Sequence, residues 1–285
     1  MHVIANHCLG ARLSVIPKLF QNSYKTVSVW FFPYRFNVPG IRIREKLISF
    51  VFQNTCCLCN EIINEIASSD DQITCTQCRQ HCFGNLLDRC YFCCAPTTLE
   101  NPFGSRCRIC RNWSSGFERV MAAGHYTGRT KAAILEIKRD CNDIKALQMG
   151  KLMGSICEKL DLPDTINCVV PVPSHWYRRM GRRGFHVADV MAEGFCRYTG
   201  LPKSTLLNCS RFTKKQAKLR PNARIKNVRG AFTLKARKSV QDMQILLLDD
   251  VMTTGATASE CAKILLKAGA SQVFVAVAAR ATGIS

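Results

Sequence analysis

Two adjacent aspartates end an aliphatic run in the stretch ILLLDDVMTTGAT, residues 245–257. Such a run is typical of a parallel strand buried on both faces, and the following ASECAKILLKAG has the pattern of a helix. In open α/β sheets, ligands bind beyond the C-terminal ends of the strands. A turn that opens a helix there presents backbone N–H groups and the positive end of the helix dipole, which favours a phosphate.

The same stretch carries side chains that suit a sugar phosphate. Gly255 allows close approach to the backbone, and hydroxyl groups are supplied by Thr253, Thr254 and Thr257. Asp249 and Asp250 would repel a phosphate, but ionised carboxylates accept hydrogen bonds and therefore match the two hydroxyl groups of a ribose. A pyrophosphate on that sugar would bring Mg²⁺, which prefers oxygen ligands. The alternative, a helix N-cap beside two surface acids, accounts for the aspartates alone and not for the whole stretch.

Metal-binding chemistry is indicated by four C-x-x-C pairs among the 18 cysteines. Each pair places two thiolates on one side of a tight knuckle, and two knuckles supply the tetrahedron that zinc requires. The spacing predicts two closed, structural four-cysteine zinc sites, paired either sequentially or crosswise, that contribute folding energy. Iron–sulfur ligation and free buried cysteines are the alternatives. The pairs are Cys56/Cys59, Cys75/Cys78, Cys90/Cys93 and Cys107/Cys110, separated by 15, 11 and 13 residues.

The other cysteines are expected to be reduced, because no secretory signal is recognised and a cytoplasmic chain keeps its thiols. No run of about 18 apolar residues predicts a membrane span. Four residues beside the knuckles could compete as ligands: Cys57, His81, Cys82 and Cys94. Six more cysteines are predicted to be core residues: Cys141, Cys157, Cys168, Cys196, Cys209 and Cys261.

The chain is strongly basic, with a formal net charge of +20. Residues 171–240 alone hold 17 Lys or Arg against two acids. This density favours a surface for polyanions, either nucleic acid or phosphorylated small molecules, over an ordinary solvated surface. Trp176 and Tyr177 stand in this segment, where stacking on bases and packing against a core are equally expected.

Alternating strand and helix patterns after about residue 117 predict an α/β domain with a parallel sheet. Strands are predicted in 167–173, 244–250 and 272–280, helices in 185–201 and 257–269, and a strand followed by helices in 124–160. A short amphipathic helix is expected at 44–52 and a long mobile loop at 211–230. The predicted domains are a basic, disordered extension (1–45), a double zinc ribbon (46–115) and the α/β domain (116–285).

The stretch ILLLDDVMTTGAT resembles the ribose-phosphate-binding motif of type I phosphoribosyltransferases, which bind 5-phosphoribosyl-1-pyrophosphate (PRPP). Together with the paired cysteines, VVPVPSHWYRRMGRRGF (169–185) and RFTKKQAKLRPNARIKNVRGAF (211–232), it makes residues 47–281 similar to ComF-family proteins, which are associated with DNA uptake in natural transformation. The resemblance implies a type I phosphoribosyltransferase-like parallel sheet flanked by helices, preceded by a small N-terminal double zinc ribbon.

Site residues follow from the same resemblance. It implies that Asp249 and Asp250 hold the ribose hydroxyls. It implies that the 5′-phosphate is held by Thr253, Thr254, Gly255, Ala256 and Thr257, and that the pyrophosphate loop comprises Val172, Pro173 and Ser174. Contacts to anions or nucleic acid are implied for Arg178, Arg179, Arg182, Arg183, Gln216, Arg224 and Asn227. His186 stands where the family often has Asn, so no role is carried over to it.

The expected function is binding of PRPP with Mg²⁺ by a protein that handles single-stranded DNA during DNA uptake. The alternative is an active phosphoribosyltransferase in nucleotide salvage or synthesis. Catalysis of that transfer needs mainly positioning and charge stabilisation, so a missing general base would not exclude it. No residue set for a particular base and no glutaminase domain are recognised, and the question of an enzymatic activity stays open at this point.

Overall fold

The computed structural model describes residues 27–31, 34–38, 55–63, 73–83, 89–97, 106–113, 115–175, 186–212, 221–235 and 239–282. The chain divides into two compact units, Met1–Phe52 and Gln53–Ser285. In the first unit, strand β1 (Val27–Phe31) pairs antiparallel with strand β2 (Tyr34–Val38). The helix predicted for 44–52 lies outside the described residues, and the three predicted domain ranges stay predictions.

The second unit contains the remaining described elements. Its strands are β3 (Val120–His125), β4 (Cys168–Pro171), β5 (Leu207–Cys209), β6 (Phe232–Leu234), β7 (Gln244–Met252) and β8 (Gln272–Arg280). Its helices are α1 (Thr76–Phe83), α2 (Gly128–Asp140), α3 (Asp143–Lys159), α4 (Val187–Thr199), α5 (Pro221–Val228) and α6 (Ala256–Lys267). Four strands form a parallel sheet in the order β3-β8-β7-β4, and β5 pairs antiparallel with β6.

Strand β7 is buried on both faces, as its continuous aliphatic run predicts. Leu246 and Leu248 belong to the core that includes Phe195 of α4, whereas Ile245 and Leu247 belong to the core that includes Cys261 of α6. Helices therefore cover both faces of the sheet, which confirms the parallel sheet flanked by helices.

Helices α3 and α4 touch through their backbones. A Cβ atom added at Gly150 would stand 2.0 Å from the carbonyl oxygen of Met191, and one added at Gly194 would stand 2.0 Å from that of Leu147. Side chains larger than hydrogen at these two positions would push the helices apart. The two helices therefore pack closely together as one layer against the sheet.

Two predictions are settled by the described part of the fold. The loop expected over 211–230 is wrong for Pro221–Val228, which is helix α5, because proline is well accommodated in the first turn of a helix and Val228 is buried. Of the six cysteines predicted for the core, three are fully buried and three are partly exposed: Cys157, Cys168 and Cys261, against Cys141, Cys196 and Cys209. Among the described residues, no helix has the length and apolar character needed to cross a membrane.

Candidate functional site

The paired aspartates lie near the C-terminal end of strand β7, at the edge of the sheet where ligands bind in open α/β folds. Asp250 forms an ion pair with Lys138, with 2.8 Å between the carboxylate Oδ2 and Nζ. Lys138 lies in the last turn of helix α2, and its side chain is 25% exposed. Sequence reasoning missed this residue, because one lysine in the last turn of a basic helix carries no distinguishing signal.

Asp249 is partly buried and unusually easy to protonate. Burial raises the pKa of Asp249 to about 7, and the neighbouring charge of Asp250 is the second cause. The backbone N–H of Asp250, which donates to Oδ1 of Asp249 at 2.8 Å, lowers this pKa by a smaller amount. Burial alone would lower the pKa of Lys138, but the charges of Asp250 and Asp249 raise it above its ordinary value. Lys138 therefore stays charged and compensates the two carboxyl groups.

A tight turn connects strand β7 to helix α6. Gly255 precedes the helix with φ 74°, in the left-handed region that favours glycine. A Cβ atom at this position would also stand 2.6 Å from Cε of Met252. The Thr254 hydroxyl accepts a hydrogen bond from the N–H of Ala256 at 3.4 Å, and helix α6 then begins with N–H groups that lack helical acceptors. The geometry at residues 253–257, called the helix-opening turn below, is suited to an anion.

Arg280, the last residue of strand β8, forms hydrogen bonds with the backbone at the start of the helix-opening turn. Its Nη1 donates to the carbonyl oxygen of Met252 at 3.1 Å and to that of Thr253, and its Nε donates to the carbonyl oxygen of Cys93 at 2.9 Å. Arg280 is only 1% exposed. Sequence reasoning also missed this arginine, because its partners lie far away along the chain.

The end of strand β4 lies beside the end of strand β7. The N–H of Val172 donates to the carbonyl oxygen of Leu248 at 2.9 Å, so residues 172–174 run along the same edge of the sheet as the aspartates. A cavity of about 560 Å³ opens next to them, and its walls include Ser174, His186 and Lys235. The segments assigned to the pyrophosphate and to the ribose are thus neighbours in space.

The residues predicted to contact nucleic acid are only partly described. Arg224 and Asn227 lie on helix α5, and the carbonyl oxygen of Asn227 accepts a hydrogen bond from Arg211 Nη2 at 3.0 Å. The other predicted contacts lie outside the described residues: Arg178, Arg179, Arg182, Arg183 and Gln216, together with Trp176 and Tyr177.

The eight predicted ligands form two groups, and the pairing is sequential. The first cysteine cluster comprises Cys56, Cys59, Cys75 and Cys78, and the second comprises Cys90, Cys93, Cys107 and Cys110, with the sulfur atoms of each cluster within 4.8 Å of one another. Close sulfur pairs are 3.5–3.7 Å apart in both clusters. A tetrahedral zinc ion with Zn–S bonds near 2.3 Å requires about 3.8 Å between sulfurs. Each cluster therefore fits one zinc ion and leaves no position open for a substrate.

Two of the residues that could compete as ligands, Cys57 and Cys94, lie outside both clusters. Cys57 donates its N–H to the carbonyl oxygen of Ile73 at 3.0 Å, and Cys94 has φ 54° and closes the third knuckle through a 2.8 Å hydrogen bond from its N–H to the carbonyl oxygen of Cys90. The side chains of His81 and Cys82 lie outside the described residues.

Comparison with known proteins finds relatives whose names refer to DNA utilization or competence. DNA utilization protein YhgH of Salmonella typhimurium is 30% identical over 176 residues, which are 59% of this chain and 75% of that protein. Competence protein F of Haemophilus influenzae is 27% identical over 187 residues, which are 63% of this chain and 80% of that protein. DNA utilization protein YhgH of Escherichia coli (strain K12) is 38% identical over 117 residues, 41% of this chain and 49% of that protein. No family model matches the chain.

Solved structures that resemble part of this chain include an enzyme of purine biosynthesis and a hypoxanthine phosphoribosyltransferase. The allosteric regulatory enzyme of purine biosynthesis is matched over 46% of this chain at 20% identity and a TM-score of 0.31, and the match spans 25% of that enzyme. A hypoxanthine phosphoribosyltransferase from Staphylococcus aureus is matched over 48% of this chain and 63% of its own, at 10% identity and a TM-score of 0.29.

Proposed function

The chain belongs to the ComF family of competence and DNA utilization proteins, and on this premise we propose that it binds PRPP with Mg²⁺ and acts in the handling of single-stranded DNA during DNA uptake. The observation that carries the proposal is the placement of Asp249 and Asp250 directly before a helix-opening turn with Gly255 in a left-handed conformation. One sugar with a 5′-phosphate satisfies both halves of this arrangement.

Each part of the proposed site has one task. The carboxylates of Asp249 and Asp250 accept the two ribose hydroxyls, while Lys138 holds Asp250 in place and reduces repulsion toward the phosphates. The N–H groups and hydroxyls of the helix-opening turn bind the 5′-phosphate. The backbone of residues 172–174 lies along the same edge and takes the pyrophosphate. Mg²⁺, when bound, neutralises charge on the pyrophosphate oxygens.

The first test is calorimetric titration of PRPP and MgCl₂ into the full chain and its aspartate variants. Asp249→Asn and Asp250→Asn are each expected to weaken binding at least about tenfold, because a hydrogen bond to a charged group contributes roughly 1.5–3 kcal/mol. The matched control is Asp242→Asn, since Asp242 lies just before strand β7, at its other end, and has φ 57°, which asparagine tolerates. Unchanged affinity in both site variants would contradict the proposal.

The pH dependence tests Asp249 separately. Its pKa of about 7 lies above the ordinary value of 3.8, so the folded protein takes up this proton more readily than the unfolded chain between these two values. Stability contributed by this group therefore falls as pH rises through that window, whereas PRPP binding strengthens from pH 6 to pH 8 as the carboxylate forms. Asp249→Asn is expected to remove both trends, and a binding profile that keeps its slope in this variant would refute the role of Asp249.

The DNA role is tested by fluorescence anisotropy with a labelled single-stranded oligonucleotide. Affinity is expected to fall about tenfold or more between 50 and 200 mM salt, because phosphate contacts release counterions. Binding that is indifferent to salt would contradict a mechanism that relies on lysine and arginine contacts. Double-stranded DNA of the same length is the matched ligand, and a preference for it would argue against single-strand handling.

A second candidate function is transfer of the phosphoribosyl group to an acceptor. The cavity of about 560 Å³ beside Ser174 favours it, because this space adjoins the segment assigned to the leaving pyrophosphate. Release of pyrophosphate from PRPP, measured with and without single-stranded DNA and a panel of bases, decides between the two. Release that depends on one acceptor and on both aspartates would establish a transferase.

A further inference from the structure

We propose that Arg280 is a positioning residue that couples metal binding in the second cysteine cluster to the helix-opening turn. The proposal deepens the proposed function, since it assigns a means of organising the same turn. A filled second cluster holds the turn in shape through Arg280, and a phosphorylated ligand on the turn in return slows the loss of metal from that cluster. Such coupling is reciprocal by thermodynamic necessity.

One guanidinium group bridges the cluster and the turn. Its Nε donates to the carbonyl oxygen of the ligand residue Cys93 at 2.9 Å. Its Nη1 donates to the carbonyl oxygens of Met252 and Thr253, which precede Thr254 and Gly255 in the chain. The planar fork of arginine can satisfy acceptors on two sides at once, whereas a lysine ammonium is a compact charge on a flexible stem.

Trp113 makes a second connection from the same cluster. Its backbone N–H donates to the carbonyl oxygen of the ligand residue Cys110 at 2.9 Å. Its indole ring lies 5.2 Å from the Arg280 guanidinium, measured to the ring centroid, and 3.4 Å from the position that a Cβ atom of Gly255 would take. The turn thus rests on Arg280 and Trp113, and both are anchored on residues of the second cluster.

The charge of Arg280 explains why the metal matters. The guanidinium is 1% exposed, and a buried cation needs a compensating partner. Four thiolates on one Zn²⁺ ion carry two net negative charges, and Cys93 and Cys107 of this cluster lie close enough to act on Arg280, as does the neighbouring Cys94. The metal also fixes the knuckle whose Cys93 carbonyl accepts from Nε. Loss of metal therefore weakens both the hydrogen bond and the charge compensation that hold Arg280 under the turn.

The test is amide hydrogen exchange of the zinc-loaded full chain, followed in peptides that span 252–258. Arg280→Lys is expected to speed exchange at the turn at least about tenfold, while α3 and the first cluster exchange as in the parent protein. The matched control is Arg129→Lys, because Arg129 donates to the ligand sulfur of Cys78 in the first cluster and makes no described contact with the turn. This control is expected to change exchange at the turn less than twofold.

Two results would overturn the proposal. The first is exchange at the turn that is the same in Arg280→Lys and in the parent protein. The second is faster exchange over the whole sheet, which would assign Arg280 a structural role alone. If Arg280→Lys does not fold, Trp113→Phe decides by the same criteria, since it keeps an aromatic ring while removing part of the support under Gly255.

The reciprocal arm measures zinc release to a coloured chelator in the presence of Mg²⁺ with and without PRPP. PRPP is expected to slow the phase that belongs to the second cluster several-fold, and less in Arg280→Lys. If the parent protein binds no PRPP by calorimetry, the proposed function fails, and the exchange experiment still decides whether cluster and turn are coupled. If PRPP binds but leaves zinc release unchanged, the coupling fails and the ligand assignment stands.

Discussion

Asn60 follows the second cysteine of the first knuckle with φ 65°, and Cys94 occupies the same place in the third knuckle with φ 54°. Both donate their N–H to the carbonyl oxygen of the cysteine that opens the knuckle, at 2.9 and 2.8 Å. The residue before each knuckle forms an isolated bridge seven positions later, Thr55 with Ile62 and Arg89 with Pro96. The opening knuckles of the two clusters are therefore built to the same local plan.

Their surroundings differ. In the first cluster, Cys59 and Cys75 are partly exposed, while Cys56 and Cys78 are buried in the core formed with helices α2 and α3. Asn60 adds a polar contact with helix α3, since its Oδ1 accepts from Lys145 at 2.7 Å. In the second cluster all four cysteines are buried. The knuckle of Cys90 and Cys93 is hydrogen-bonded to the sheet, because the N–H of Val120 in β3 donates to the carbonyl oxygen of Phe92 at 2.9 Å. Knuckles of the same local plan thus have different surroundings: Cys56 and Cys78 of the first cluster pack into the core that includes Ile134, whereas the second cluster forms a small core of its own that is hydrogen-bonded to strand β3.

Removing one cysteine ligand from each cluster tests most directly whether the two clusters contribute differently to stability. Cys93→Ser is expected to lower the thermal unfolding midpoint by more than about 10 °C, since structural zinc contributes on the order of 10 kcal/mol to folding and each kcal/mol corresponds to about 2–4 °C in a domain of this size. Cys59→Ser is expected to have less than half that effect. Circular dichroism melting curves and zinc content measure both, with Cys141→Ser as a cysteine control outside the clusters. Equal losses would mean that the surroundings of a cluster do not matter.

An effect of intermediate size is expected when the rates of zinc release from the two clusters are compared. The first cluster should give up zinc several-fold faster to a chelator, because its partly exposed Cys59 and Cys75 sulfurs can be attacked from solvent. Release should therefore occur in two phases, and Cys59→Ser should abolish the fast one. A fast phase that survives in this variant would assign the labile metal to the buried cluster and reverse the comparison.

The smallest effect is expected at Arg129, which lies on the surface and donates to Cys78 Sγ at 3.3 Å. Arg129→Ala should speed zinc loss from the first cluster about two- to fivefold, since hydrogen bonds to ligand atoms tune metal affinity, and it should leave the unfolding midpoint within about 2 °C. Arg139→Ala removes an exposed arginine from the same helix, where its partner is Asp140, and is the matched control. Equal release rates in the two variants would show that Arg129 does not support the cluster.

Local patterns were sufficient to predict part of this architecture. The aliphatic run before Asp249 identified a strand buried on both faces, and each C-x-x-C pair identified a knuckle, because both features depend on residues close together in the chain. The pairing of the knuckles was left open, since it depends on distances between segments that spacing alone does not determine. Helix α5 was missed because only Ile225 and Val228 mark its apolar side, and Ile225 is 57% exposed.

Long-range contacts account for the residues that sequence reasoning did not find. Lys138 pairs with Asp250 from another element, and Arg280 contacts the third knuckle from the end of the last strand. A basic residue in such a place looks like any other among 40 lysines and arginines. Burial reveals Arg280, because a guanidinium that is 1% exposed requires partners, and burial is a property of the assembled fold.

The distance in sequence between Cys93 and Arg280, 187 residues, also sets an order of events during synthesis. At elongation rates of 5–20 residues per second, Arg280 is added roughly 10–40 s after Cys93. The ligands of the second cluster are therefore made well before the arginine that joins them to the helix-opening turn. The cysteines of this cluster can therefore bind zinc while the chain is still attached to the ribosome and before strand β8 is complete.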